Sequence, residues 1–139
     1  MVRNGNGVLC AAASWFFCGG WSVEMAEARA LLEGLKFAFS RNLFPLEVES
    51  DALNIVNLCK GVSHTRSDVD SIVFDVKFLL SSFDCISISF VPRSCNGVAH
   101  GVVKMTLFCN SSVVWLFSFP DWLLKLVLDD SMFVVGPVG

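Results

Sequence analysis

Between Leu46 and Cys59 the hydrophobic period changes from two to 3.6 within a few residues. Leu46-Glu47-Val48-Glu49-Ser50 alternates apolar and polar side chains as a half-buried strand does, and Ala52, Ile55, Val56 and Cys59 then repeat as one helix face does. Asp51 falls at the junction. In open α/β sheets ligands collect at the carboxyl ends of strands, so an acid there is a candidate metal or phosphate handler. Two structural readings stand beside that one. Glu47, Glu49 and Asp51 share a strand face, and Asp is a favoured helix N-cap.

The rest of the chain supports an α/β domain. Arg3-Asn4-Gly5-Asn6-Gly7-Val8 carries the Asn-Gly signal of a tight hairpin, with Val8 to Phe17 as its second arm and only Met1 and Val2 before its turn. From Val23 to Arg41 the spacing of Ala28, Leu31, Leu32, Leu35 and Phe39 predicts a helix whose outer face holds Arg29, Glu33 and Lys36. Glu27 lies on the edge of that apolar stripe, where an acid is either functional or placed to favour the helix dipole. Asn42 and Pro45 close this helix.

Lys60 to Arg66 reads as a polar loop in which His64 is a solvated side chain. Ser67 is the expected N-cap of the next helix, with Asp68 and Asp70 behind it and Val69, Ile72, Val73, Val76, Leu79, Leu80 and Phe83 as its core stripe. Cys85 to Val91 alternates Ile86, Ile88 and Phe90 with Ser87 and Ser89, a strand with one wet face and an edge position. Leu46 to Ser50, bracketed by helices, is expected to lie inside the sheet. A loop through Asn96 and Gly97 leads to a helix bearing Val98, Val102 and Met105, with His100 at its start. Pro120, Asp121 and Trp122 open a short apolar helix through Leu128. The domain is read as residues 1–112 and the C-terminal tail as 113–139.

Composition removes some classes. At 54% hydrophobic and a mean hydropathy of +0.63, the membrane question has to be asked. The longest uncharged run, Asn4 to Val23, is broken by Gly5, Gly7, Gly19 and Gly20, and Val113 to Leu128 by Pro120, Asp121 and Lys125. Neither gives the roughly 20 apolar residues of a spanning helix. Six cysteines form no C-x-x-C pair and fall mostly in apolar runs, which points to buried thiols in a reducing compartment, nucleus or cytoplasm. A net charge of −3 gives no bulk attraction to nucleic acid, so binding would need a local patch.

Three blocks in order, Ala26-Glu27-Ala28 with Leu32-Glu33-Gly34-Leu35-Lys36, then Val48-Glu49-Ser50-Asp51, then Val91-Pro92-Arg93 with Asn96-Gly97-Val98-Ala99-His100, resemble the ribonuclease H-like domains of plant genomes related to retrotransposon reverse transcriptases. The resemblance covers nearly the whole chain. It implies a five-stranded mixed sheet with helices on both faces, and carboxylates that hold two Mg²⁺, or Mn²⁺, across an RNA phosphate of an RNA–DNA hybrid. Mg²⁺ needs hard oxygen ligands, and a metal pair about 3.5–4 Å apart stabilises both attacking and leaving oxygens. Carried over residue by residue, the first-helix Glu lands on Glu27, with Glu24 a poorer alternative, and the fourth-strand Asp on Asp51.

Two positions depart from the family pattern. The first-strand Asp has no counterpart, because the sequence starts near the end of the second strand, and His100 stands at the last-helix acid, where imidazole suits Zn²⁺ better than Mg²⁺. With its first strand missing, the fold requires the Val8–Phe17 strand to shift, to pair with another chain, or to leave an open edge. The functions implied are a hybrid ribonuclease with metal-dependent but weak or absent hydrolysis, ligated by Glu27 and Asp51 with His100 nearby, or a non-catalytic nucleic-acid-binding remnant. In either, Arg93, Asn96 and Lys104 would touch phosphate or sugar. Outside the family, Val8 to Cys18 could instead be the apolar core of a signal peptide on a small secreted protein.

Overall fold

The computed structural model describes residues 1–6, 8–15, 22–43, 45–61, 68–82, 86–95, 97–109, 111–129 and 136–137. Among these residues six strands and five α-helices follow one another as β1 (Val2–Arg3), β2 (Leu9–Ser14), α1 (Val23–Ser40), β3 (Leu46–Ser50), α2 (Leu53–Cys59), α3 (Val69–Ser81), β4 (Ile86–Phe90), α4 (Gly97–Cys109), β5 (Val113–Trp115), α5 (Asp121–Asp129) and β6 (Gly136–Pro137). Ser67, His64, Phe83, Cys85 and Asn96 lie outside the described residues.

The strands form two sheets of three, ordered β1-β2-β5 and β4-β3-β6, rather than one sheet of five. The first is antiparallel throughout, and the second is mixed, β3 running parallel to β4 and antiparallel to β6. The division follows from what lies between β1 and β3. Among the described residues only β6 lies there, and two of its residues are described. As expected, β3 is internal and β4 is the edge of its sheet among the described residues. The hairpin arm before the Asn-Gly turn is indeed short. Asn4 closes it, its Oδ1 accepting from Asn6 N at 2.9 Å and Val8 N at 3.0 Å. The second arm does not shift to fill the space beside β3, because β1 and β5 already pair with β2 on its two sides.

Helix α1 starts at Ser22, whose Oγ accepts from Met25 N at 3.1 Å. It ends at Ser40 with Arg41 as its C-cap, and the next residue, Asn42, adopts the left-handed conformation (φ 54°) that Asn tolerates, while Leu43 N donates to Ala38 O at 3.0 Å. Its buried side chains are Ala28, Leu32, Leu35 and Ala38, and its outer face carries ion pairs from the half-buried Glu33 to the half-buried Arg29 at 3.2 Å and to the exposed Lys36 at 3.5 Å. Ala28, Leu32 and Leu35 meet Ile55 and Leu58 of α2 and Val69, Val73 and Val76 of α3 in the larger core, with Val48 and Ile88 packed from the sheet. The alternation read in β3 and β4 is therefore realised. Val48 and Ile88 face helices, and Glu47, Ser87 and Ser89 face water.

A second core joins Leu9 and Ala12 of β2, Val98 and Val102 of α4, and Leu123 and Val127 of α5. Residues 113–129, read from sequence as a tail, thus supply β5 to the first sheet and α5 to this core. Trp115 and Trp122 pack edge to face at 5.9 Å where the two meet. Gly101 of α4 sits under Leu126 of α5. Among the described residues no helix is long and apolar enough to cross a membrane.

Candidate functional site

The carboxyl end of β3 opens onto a cavity of about 660 Å³. Its walls come from β1, β2, α1, β3 and α4, and four carboxylates, Glu27, Glu47, Glu49 and Asp51, line it together with Arg93. Glu27 is held by the second turn of α1, and Asp51 by the step from β3 into α2. The sheet and the helix packed on it bring together two acids 24 positions apart in sequence.

The structural alternatives for both acids lose their footing here. Asp51 does not cap α2. The N-cap is Ala52 without a side-chain bond, and the Ala52 amide is taken by Ser50 Oγ at 3.1 Å. Glu27 does not serve the N-terminus of α1 either, since Ser22 caps that helix and Glu24 is its first-turn acid. Glu27 is exposed at the cavity mouth, yet its carboxyl pKa is raised above the ordinary value of 4.5. Partial burial is the largest cause, followed by the negative charges of Asp51 and Glu24, while Arg93 acts in the opposite direction.

The other sequence candidates divide. Arg93, in a single 3-10 turn after β4, joins the cavity and acts electrostatically on Glu27. Lys104 is exposed on α4 and does not line the cavity. His100 occupies the fourth position of α4, next to Ala99, which does line the cavity; its side chain lies outside the described residues. Glu49 was read as a strand-face acid only, and it also lines the cavity. Its signal was visible in the sequence as the period-two series Glu47, Glu49, Asp51.

A divalent cation is tested by the donors present. Glu27 and Asp51 offer the hard carboxylate oxygens that Mg²⁺ prefers. Among the described residues no group of three or more His, Cys, Asp or Glu side chains converges as a metal-binding set. Two carboxylates fit a single hydrated ion, and they do not by themselves fit a metal pair.

Fold and site together define a ribonuclease H-like α/β domain. Residues 1–106 match the family described as reverse transcriptase-like, and the chain belongs to that family. The crystal structure of RNase H1 from the halophilic archaeon Halobacterium salinarum NRC-1 superposes with a TM-score of 0.62 at 26% identity, covering 66% of this chain and 70% of that one. No curated protein matches the sequence.

Proposed function

We propose that this chain is an RNA–DNA hybrid-binding module of ribonuclease H type, in which Glu27 and Asp51 hold one Mg²⁺ or Mn²⁺ weakly and hydrolysis of the RNA strand is slight or absent. The observation that carries this reading is the placement of Glu27 and Asp51 on one cavity at the carboxyl end of β3, with their charges coupled. An ion held there would supply charge neutralisation for a phosphate oxygen. Octahedral Mg²⁺ takes six ligands, so two carboxylates leave about four places to water and phosphate.

The chain's own residues do the remaining work in this proposal. Arg93 lines the cavity, and a planar guanidinium is the kind of group that suits a phosphate or a sugar oxygen. Burial and the neighbouring charges of Asp51 and Glu24 raise the pKa of Glu27, so a cation bound beside it would compete with its proton more than at an ordinary carboxylate. The weak-hydrolysis part rests on chemistry. These 139 residues supply two of the family's four carboxylates, and imidazole at position 100 is a poor ligand for Mg²⁺. A reducing location, nucleus or cytoplasm, is part of this proposal and rests on the sequence alone, in which most of the six cysteines fall in apolar runs.

Hybrid binding tests the reading. Retention of a labelled RNA–DNA hybrid by the purified protein should require Mg²⁺ and fall in Asp51→Asn and in Arg93→Met. Binding that ignores both Mg²⁺ and Asp51→Asn would refute the site assignment.

A further inference from the structure

Strand β4 is bonded to β3 along one side, and its other side is open among the described residues. Val91 N donates to Ser50 O at 3.0 Å. Backbone groups of successive residues turn to alternate sides of a strand, so the N–H and C=O of Ser87 and Ser89 also turn toward β3. Those of Ile86, Ile88 and Phe90 turn outward. Among the described residues nothing hydrogen-bonds to these outward groups. The usual protections of an edge are lacking in β4 itself. Its five residues, Ile86-Ser87-Ile88-Ser89-Phe90, hold no charge and no proline, and Pro92 and Arg93 come only after it. Its register with β3 runs from Leu46↔Ile86 to Ser50↔Phe90 without a bulge. Ser87 and Ser89 are exposed, and Phe90 is a large apolar side chain at 43% exposure.

We propose that a second copy of this chain covers this edge, the two β4 strands lying antiparallel about a two-fold axis through Ile88. The register then sets Ile88 opposite Ile88 and Ile86 opposite Phe90, and antiparallel residues so placed exchange both of their N–H···O bonds. Every outward group of β4 finds a partner in that register. A slip by one residue would set outward-turned residues opposite inward-turned ones and leave the bonds unmade. The order of residues decides for a copy over an unrelated strand. Read in either direction, β4 alternates apolar residues with serine, so apolar positions meet apolar positions and Ser87 meets Ser89. A two-fold contact uses the same edge on both copies, so it closes at a dimer and does not propagate. The contact is small, which places it among weak, concentration-dependent associations. The proposal does not depend on nucleic-acid binding.

Sedimentation velocity of the full chain tests it from about 1 to 300 μM, the range in which so small a contact acts. The wild type should show a reversible monomer–dimer equilibrium with nothing larger. The double variant Ser87→Lys, Ser89→Lys sets like charges opposite each other across the axis and should weaken the dimer about tenfold or more. Each new lysine lies beside Glu47 or Glu49 in its own sheet, so the fold should be kept, with circular dichroism confirming it. Ser87→Thr, Ser89→Thr should keep the dimer within about threefold. In the wild type at high concentration, amide exchange should slow more at Ile86, Ile88 and Phe90 than at Ser87 and Ser89, whose N–H groups already face β3. A monomer throughout the range, larger species without a dimer, or association undiminished by the lysine pair would each overturn the proposal. So would slowing that does not favour the outward-turned residues.

Discussion

Glu27 of α1 and Asp51 at the end of β3 line the same cavity, and the charge of Asp51 helps to raise the pKa of Glu27. Neither acid is consumed by capping the helix it belongs to or precedes. Like charges held together oppose folding, and ionic or basic ligands relieve that opposition.

The titration of Glu27 therefore reports on the site. A carboxylate whose folded pKa lies above its unfolded value binds its proton more tightly when folded. Its favourable contribution is present at pH below the unfolded value, near 4.5, and is lost as pH rises through the raised folded value. In carboxyl-carbon NMR, Asp51→Asn should lower the Glu27 pKa without returning it to 4.5, because burial is the larger cause. Arg93→Met should raise it, and Mg²⁺ should lower it in the wild type. A Glu27 titration indifferent to Asp51→Asn would disprove the coupling.

The contact of α5 with α4 is tested at Gly101. A Cβ placed there would lie 2.5 Å from Leu126 Cδ1, so alanine forces that side chain to move. Overpacking costs about 1–3 kcal/mol, at the low end here because the obstacle is the tip of a flexible side chain. Against this stands about 1 kcal/mol of helix propensity gained by replacing Gly. Gly101→Ala alone should thus be neutral or destabilising by up to about 1 kcal/mol in urea unfolding, and in a Leu126→Ala background it should stabilise by about 0.5–1 kcal/mol. The same effect in both backgrounds would contradict the packing.

Much of this was legible in the sequence because period reports burial. The helix spacing through Leu32 and Leu35, and the alternation in β3 and β4, correspond to contacts with the larger core. The pairing of Glu27 with Asp51 came from the resemblance, since spacing alone left a capping role open. Other features were not legible. The division into two sheets depends on which strand lies beside β3, a long-range pairing that no local pattern encodes. Trp115, Leu123 and Val127 read as tail because their partners, Leu9, Ala12 and Val98, are far away in sequence. Helix α3 carries Phe74 and Phe78 at 70% and 64% exposure, apolar residues that composition assigns to a core and the fold leaves outside.

That last contrast gives a stability test. Ile55 is fully buried between α1 and α3, so Ile55→Ala should cost about 2–5 kcal/mol by urea unfolding. Phe78→Ser should change stability by no more than about 0.5 kcal/mol and should improve solubility. A large loss for Phe78→Ser would mean that the face is covered.

Cys59 is buried in the larger core, and burial pushes its thiol pKa up to about 11, with Lys77 acting weakly against the shift. At pH 8 its thiolate is scarce. Alkylation of Cys59 by iodoacetamide, followed by peptide mass spectrometry, should be slow in the native chain and fast in urea. Equal rates would place Cys59 at the surface.

The central claim, a two-carboxylate site that binds without effective turnover, is tested most directly by single-turnover cleavage of an RNA–DNA hybrid labelled on the RNA strand. Protein is held in excess with Mg²⁺ or Mn²⁺, and Glu27→Gln is run in parallel. The account predicts hybrid bound by the wild type and RNA cut no faster than with the variant. RNA cleavage that follows the purified protein and disappears in Glu27→Gln would contradict it.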